Sequence, residues 1–422
     1  MTDRLLNVAV VGAGHRSVGY ASYALRHPDR MRVVAVADPN PVRRNALADR
    51  HDVPERMRLR SYEDLAGRPI ADSVINGTMD HLHYTSALPL IESGYHMLLE
   101  KPIAGTEDEV RGLIAAAKQH ERTVMVCHVM RYAPFYARIK ELVASGEVGE
   151  IVSLHTAENV SYHHMAVGFI RGRWNNRQHS SPMLLAKCCH DLDLIAWLFS
   201  GIPAARVSSF GSLTQFRPEN APEGSAARCL DGCLIEESCP YSARANYVTQ
   251  GLWSFYAWEP IEHMENATVD QKLESLRTDN PYGRCVWHCD NNVVDHQSVI
   301  VEMCNGAIAS HDMFCATSRP SRTIHIIGTR GEIQGDMEAG LLLVRHPDTR
   351  QGHEFTEENL PLDVAGDGHG GGDERLIEDF VRTLRGEPAS RSVTRIEDSL
   401  TGHLIAFAAD QAMIEKRVVE IR

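Results

Sequence analysis

Residues 6–11, Leu-Asn-Val-Ala-Val-Val, form a short β-branched run that breaks on Gly12-Ala13-Gly14 and passes into helical spacing from Val18. This order of strand, glycine turn and helix constrains the chain more than any other feature. Gly12 and Gly14 let the backbone approach a pyrophosphate, whose charge is favoured by the helix N-terminus carrying His15 and Arg16. The third glycine, Gly19, falls two positions later than in the common G-x-G-x-x-G spacing. The next predicted strand, 32–37, leads to Asp38, where a carboxylate can accept hydrogen bonds from adenosine ribose hydroxyls. A carboxylate there repels a 2′-phosphate, whereas Arg43 nearby could accept one, and the balance favours NAD over NADP.

Short β-branched runs at 6–11, 32–37, 73–76, 96–99 and 123–127 alternate with helical patterns at 18–26, 41–50, 84–93 and 106–120. That alternation is the sequence form of a parallel sheet with crossover helices, and Thr106 ahead of Glu107 and Glu109 reads as a helix cap. After Arg131 the pattern becomes one helix, 135–145, followed by longer strands at 151–155, 293–303, 307–314 and 322–327. Several of these alternate apolar with polar residues, which suits an antiparallel or mixed sheet. Residues 217–240 and 363–373 read as long loops. With 43 Lys+Arg against 56 Asp+Glu, the net charge of -13 argues against a nucleic-acid partner. The most apolar stretch, 194–205, is too short to span a membrane, and the N-terminus lacks a secretory cleavage pattern, so a cytoplasmic protein is expected.

Three further segments occur in order: Thr78-Met79-Asp80-His81-Leu82-His83, then Glu100-Lys101-Pro102, then His128-Val129-Met130-Arg131-Tyr132-Ala133-Pro134. Together with the glycine turn they resemble the Gfo/Idh/MocA family of nicotinamide-dependent oxidoreductases. The resemblance implies an α/β architecture: a Rossmann domain over 1–128, then a C-terminal α/β domain over 129–422 with a large, mostly antiparallel open sheet. That sheet often serves oligomer contacts in the family, which implies a homo-oligomer, dimer or tetramer. It also places Thr78, His83, Glu100, Lys101 and Arg131 beside the cofactor, with Lys101 reaching both substrate and nicotinamide. An ammonium there can donate to a carbinol oxygen or exchange its proton.

The family commonly shows D-x-x-x-H-x-x-D at a helix start, and His190 and Asp193 match its last two positions. The first aspartate is Ala186 here, followed by Lys187. His190 then needs another orienting partner, such as Asp191, or a share of the acid–base work passes to Lys187. Tyr162, His163, Arg171, Arg173 and Trp174 supply donors and an aromatic plane suited to a polyhydroxylated ring or a sugar acid. His369 precedes three glycines, a segment that resembles one in NAD-dependent glycosidases of the family. The leading expectation is oxidation of a sugar hydroxyl with hydride transfer to NAD. The alternative is glycoside hydrolysis by transient oxidation at C3, elimination, water addition and re-reduction, and a non-catalytic sugar sensor is the third.

Ten cysteines in a chain of this size do not read as a disulfide framework. Cys229, Cys233 and Cys239, together with Cys285 or Cys289, could instead form a structural zinc site, with free packed thiols as the alternative. Cys188 and Cys189 read as small packing residues.

Overall fold

The computed structural model describes residues 4–199, 201–264, 266–362 and 369–421. Six parallel strands form the first sheet: β1 (Leu6–Val11), β2 (Met31–Ala37), β3 (Arg58–Leu59), β4 (Ser73–Asn76), β5 (His96–Leu99) and β6 (Val124–Val126), in the order β3-β2-β1-β4-β5-β6. Helices α1 (His15–Ala21), α2 (Pro41–Arg50), α3 (His83–Glu92) and α4 (Glu107–Gln119) connect them. The expected helix over 18–26 starts earlier and breaks at Ser22, whose hydroxyl donates to the Gly19 carbonyl at 2.6 Å. Thr106 caps α4 as expected. Its side chain accepts from the Glu109 backbone while the Glu109 carboxylate accepts from the Thr106 N–H, which satisfies two otherwise orphaned donors.

The second sheet has nine strands: β7 (Ile151–Ser161), β8 (Ala204–Ser212), β9 (His296–Met303), β10 (Ile308–Thr317), β11 (Ser321–Gly328), β12 (Glu332–Asp336), β13 (Leu341–Pro347), β14 (Phe355–Asn359) and β15 (Val419–Glu420). All neighbours are antiparallel except β7 and β10. The strand expected from 293 begins only at His296, because the Asp295 carboxylate turns aside to accept from the Thr214 and Gln215 backbone at 2.9 and 2.7 Å. The longer remaining helices are α5 (Pro134–Ala144), α6 (Met183–Phe199), α7 (Val269–Arg277), α8 (Gly372–Leu384) and α9 (Leu400–Glu415), with α6 and α9 packed against each other. Period-two alternation buries Val299, Val301 and Met303 of β9 and leaves Ile300 outward, on the same open face as Phe210, Ile308, Phe314 and Ile327.

Residues 213–295 join β8 to β9, with no strand of their own among the described residues. The loop expected at 217–240 is irregular apart from single helical turns, and the part of the other expected loop at 363–368 lies outside the described residues. Late in the chain, residues 394–396 return to the first sheet beside β6, where Val126 N–H donates to Thr394 at 2.8 Å and Ile396 N–H to Val124 at 3.0 Å. The N-terminal core thus incorporates Ile396.

Candidate active site

The loop after β1 turns at Gly12 with φ +78°, a left-handed conformation that glycine adopts without strain. A Cβ there would also meet the Gly77 carbonyl oxygen at 2.6 Å, whereas one on Gly14 would meet nothing within 4 Å. The α1 N-terminus therefore opens onto free space, the cradle a pyrophosphate requires. Asp38 is buried at the end of β2 and its carboxylate accepts from Ala13 N–H at 2.6 Å and from Asn40 N–H at 2.7 Å. Each oxygen keeps a lone pair for a ribose hydroxyl. The Thr78 hydroxyl donates to Asn76 at 3.0 Å, at the exit of the neighbouring strand β4.

Lys101 follows β5 and joins Pro102 through a cis peptide. Its Nζ donates to the Ala186 carbonyl of α6 at 2.7 Å, one helical turn before His190. Behind it Glu100 accepts from Arg16 at 2.9 Å, from the Tyr20 hydroxyl at 3.0 Å and from the Lys101 N–H at 2.9 Å. Burial pushes the Glu100 carboxyl up, but Arg16 and Lys101 outweigh it and hold the pKa below the usual value. Arg16 also donates to Asp373 of α8 at 2.6 and 3.0 Å, and Asp373 sits 3.1 Å from Nδ1 of His369.

His190 lies 5% exposed, and burial, then Lys101 and the neighbouring His128, push its pKa well below 6.5. The imidazole is therefore neutral at neutral pH, and its buried Nδ1 has no hydrogen-bond partner among the described residues. Its ring centroid is 5.7 Å from that of His128 and 6.1 Å from that of His369. Burial lowers the His369 pKa as well, against the opposing pull of Asp373. Two neutral imidazoles and one ammonium thus converge near the carboxyl ends of β4 and β5.

Over the glycine turn lies part of the 213–295 connection. Tyr256 stacks on His15 with ring centroids 5.6 Å apart, and Phe255 tilts against it at 4.4 Å. Glu262 accepts from Arg43 at 2.8 and 3.0 Å and from Asn40 at 2.5 Å, while Glu259 pairs with Arg43 and Arg173.

Comparison with known proteins matches residues 6–128 to the Gfo/Idh/MocA oxidoreductase family, NAD-binding Rossmann fold, and residues 140–421 to the C-terminal alpha/beta domain of that family. The chain belongs to the Gfo/Idh/MocA oxidoreductase family. It is 26% identical over 327 residues to a Bacillus subtilis (strain 168) protein that carries the oxidoreductase name YteT, covering 73% of this chain and 72% of the relative. It is 25% identical over 214 residues to 2,7-anhydro-N-acetylneuraminate hydratase of Escherichia coli (strain K12), covering 51% of this chain and 55% of that one. Against several relatives the chain therefore spans only about half of their length. A solved levoglucosan dehydrogenase, in complex with NADH, superposes with a TM-score of 0.70 at 17% identity over 99% of this chain and 100% of the other.

Gly12, Gly14 and Asp38 lie together at the turn after β1 and the end of β2, and the open space at Gly14 leaves room for a pyrophosphate there. Several other residues expected at the site are committed elsewhere. Arg131 makes a bidentate pair with Asp193 at 2.6 Å for both bonds, 2% and 1% exposed, and so fastens α6 to the loop after β6. His83 is wedged between the carbonyls of Pro102 at 2.5 Å and Thr78 at 3.0 Å, bracing the Lys101 turn from behind. Asp191 points away from His190 to Arg322 at 3.3 Å, so it cannot orient that imidazole. Arg171 is buried among carbonyls, Tyr247 and Cys229, which take up its donors. Lys187 pairs with the buried Glu158 at 2.6 Å, and Glu158 pairs in turn with Arg322 at 2.6 Å.

Arg173 and Trp174 face the cofactor side: Arg173 bonds to Glu259, and the Trp174 indole donates to Asp80 at 3.1 Å. Tyr162 and His163 form an edge-to-face pair at 5.0 Å at the start of the next helical segment. The ligand atoms of Cys188, Asp191 and His311 lie within 4.8 Å of one another, but the Arg322 guanidinium already supplies a cation beside Asp191. Cys188 and Cys189 are fully buried, and burial pushes both thiols up, as packing residues require. Tyr20, Tyr256, Glu259 and Glu262 fall in none of the sequence motifs above, and the aromatic residues at 253, 255, 256 and 258 are the one local signal that accompanies the covering segment.

Proposed function

We propose that the chain is an NAD-dependent oxidoreductase acting on a hydroxyl of a sugar or sugar derivative. The observation that carries this reading is the meeting of Lys101 with a neutral His190 at the carboxyl end of the cofactor sheet. NAD, when bound, takes the hydride of the carbinol carbon. Lys101 donates to the carbinol oxygen and stabilises the charge that develops there, while His190 accepts its proton. The protein surface that shapes the substrate side comes from Tyr162 and His163, and the levoglucosan dehydrogenase likeness supports a carbohydrate there.

NAD is preferred over NADP in this reading. Arg43, the group that would accept a 2′-phosphate, is occupied by Glu262 and Glu259, and both carboxylates add negative charge beside Asp38. A homo-oligomer formed through the open face of the second sheet is supported by the exposed Phe210, Ile300, Ile308, Phe314 and Ile327. A reducing, cytoplasmic setting is supported by ten cysteines that form no disulfide among the described residues.

A second reading is a reaction with no net redox change, in which the hydride is returned and the sugar undergoes elimination and hydration or hydrolysis. Two observations favour it: a relative is named as a hydratase of an anhydro-sugar, and His369 paired with Asp373 supplies a second imidazole base beside His190. The experiment is a panel of free sugars, anhydro-sugars and aryl glycosides with NAD in deuterated water, following NADH, bond cleavage and deuterium incorporation together. Net NADH without cleavage supports the dehydrogenase. Cleavage or hydration with deuterium beside the transiently oxidised carbon, and no net NADH, supports the second reading.

A further inference from the structure

The connection over residues 213–295 carries the groups that cover the cofactor turn, yet its own core is small. Val167, Cys229, Ala243, Tyr247, Ala257, Leu276 and Tyr282 form a satellite cluster separate from the two main ones. Phe216, Tyr241, Cys285, Val286, Trp287 and Val293 of the same segment join the main core, but the irregular 229–239 stretch buries only Cys229, and stretches with so little burial commonly rely on a cross-link or a metal.

At the edge of that cluster Arg171 is 2% exposed. Its donors go to Arg284 O at 2.6 Å, the Tyr247 hydroxyl at 3.0 Å, Tyr241 O at 2.7 Å and Cys229 Sγ at 3.3 Å. No ion pair joins it to a carboxylate among the described residues. A guanidinium taken out of water without an anion costs several kcal/mol, roughly, so a negative group is expected beside it. Four cysteines, Cys229, Cys233, Cys239 and Cys285, line the same small pocket as Arg171. The fifth, Cys289, turns its thiol to the Cys285 carbonyl at 3.2 Å and does not line the pocket.

We propose that Cys229, Cys233, Cys239 and Cys285 bind one zinc ion as thiolates, with Arg171 donating a hydrogen bond to Cys229 and balancing the charge of the centre. The four thiols lose their protons to solvent as the metal enters, so Zn²⁺ with four thiolates carries a net charge of −2, and Arg171 offsets half of it. This removes both anomalies at once: the cation gains its anion, and the segment gains a cross-link between the 229–239 stretch and the 285 turn. No three of the four sulfurs lie within 4.8 Å of one another, so loading draws the half-buried Cys233 and Cys239 inward to Zn–S distances near 2.3 Å, roughly. Neither residue lies in a regular element that would resist this. The zinc is structural: four sulfur ligands leave no open position for a substrate.

The test is metal analysis of the full-length protein purified without chelator, and again after incubation with zinc alone. About one zinc per chain is expected for wild type and for Cys304→Ser, an exposed cysteine remote from the pocket, and a tenth of that or less for Cys233→Ser and for Cys239→Ser. A mercurial thiol reagent should release the zinc of wild type, read by a metallochromic dye, and zinc removal should lower the Tm. Wild type that neither retains nor takes up zinc, with all four thiols open to a disulfide reagent in the folded state, would overturn the proposal. So would iron with acid-labile sulfide in place of zinc, or full zinc content in both serine variants. These readouts do not use turnover, so they succeed or fail independently of the reaction assigned above.

Discussion

Replacing Glu262 with glutamine should relax the cofactor preference, and the size of the effect follows from the local charges. The Glu262 carboxylate holds Arg43 Nε through both oxygens at 2.8 and 3.0 Å, with the two side chains 25% and 20% exposed. Burial tends to lower the Arg43 pKa, but the two glutamates outweigh it, and the guanidinium is tightly held. A 2′-phosphate entering beside Arg43 meets that carboxylate at about 5 Å, where each pair of like charges costs roughly 1–2 kcal/mol at an effective dielectric between 40 and 80. Partial exposure and salt reduce this, so Glu262→Gln should tighten NADPH binding by about 1–2 kcal/mol, roughly 5- to 30-fold. NADH binding should change less than about twofold, since no phosphate reaches this corner. Fluorescence titration with NADPH and NADH measures both constants without a known substrate. The gain should shrink without vanishing in Arg43→Ala/Glu262→Gln, because the repulsion by Glu262 is still relieved while the freed guanidinium is lost. Equal effects on both cofactors would falsify the reasoning.

Other consequences are open to measurement. Lys101→Met should abolish hydride transfer while leaving NADH affinity within about threefold, because Nζ bonds to the Ala186 carbonyl and, in the proposed reaction, meets the reacting oxygen rather than the dinucleotide cradle. With the His190 pKa held well below 6.5, the imidazole stays neutral and basic as pH falls, so kcat/KM for oxidation should remain level from pH 8 to below 6.5. A protonation limb at or above 6.5 that disappears in His190→Ala would contradict that environment. Arg131→Met leaves Asp193 buried without its counter-ion and should cost about 3–5 kcal/mol in denaturant unfolding; a loss below 1 kcal/mol, roughly, would mean the pair is dispensable.

The parallel half of the molecule was legible because its signals are local. The β1 turn, Asp38 and the Thr106 cap each depend on residues close together in the chain, and each stands where the spacing placed it. The second sheet was legible in class but not in extent. β8 and β12–β15 were not identified, since partly polar strands such as Phe355–Asn359 carry no apolar alternation. The departures at the site have one physical origin. Arg131, Asp191, Lys187 and Arg171 are charged residues close in sequence to site motifs, and the sequence does not reveal that each has a buried partner far along the chain: Asp193, Arg322, Glu158 and Cys229. A charge opposite a buried charge is structure first, because separating such a pair to meet a substrate would leave the other ion desolvated.

In the proposed reaction, alanine at position 186 changes the charges around Lys101. A carboxylate there would lie next to Lys101 Nζ and one turn from His190, lowering the net positive charge at the reacting oxygen and favouring imidazolium. Its absence leaves the ammonium bonded only to a backbone carbonyl at 2.7 Å, among the contacts described, so more of its charge is available to a developing alkoxide. The cost is that His190 has no anionic partner to fix its tautomer, and its buried Nδ1 goes unsatisfied. The orienting carboxylate exists elsewhere: Asp373 holds His369 at 3.1 Å and is itself balanced by Arg16, so its charge does not reach the reacting atoms uncompensated. An imidazole–carboxylate unit is thus present just before α8, with its ring centroid 6.1 Å from that of His190. A single oxidation needs only one base; abstraction of a carbon-bound proton from a transient ketone needs a second, which is why the His369–Asp373 pair is the feature that most strengthens the redox-neutral reading.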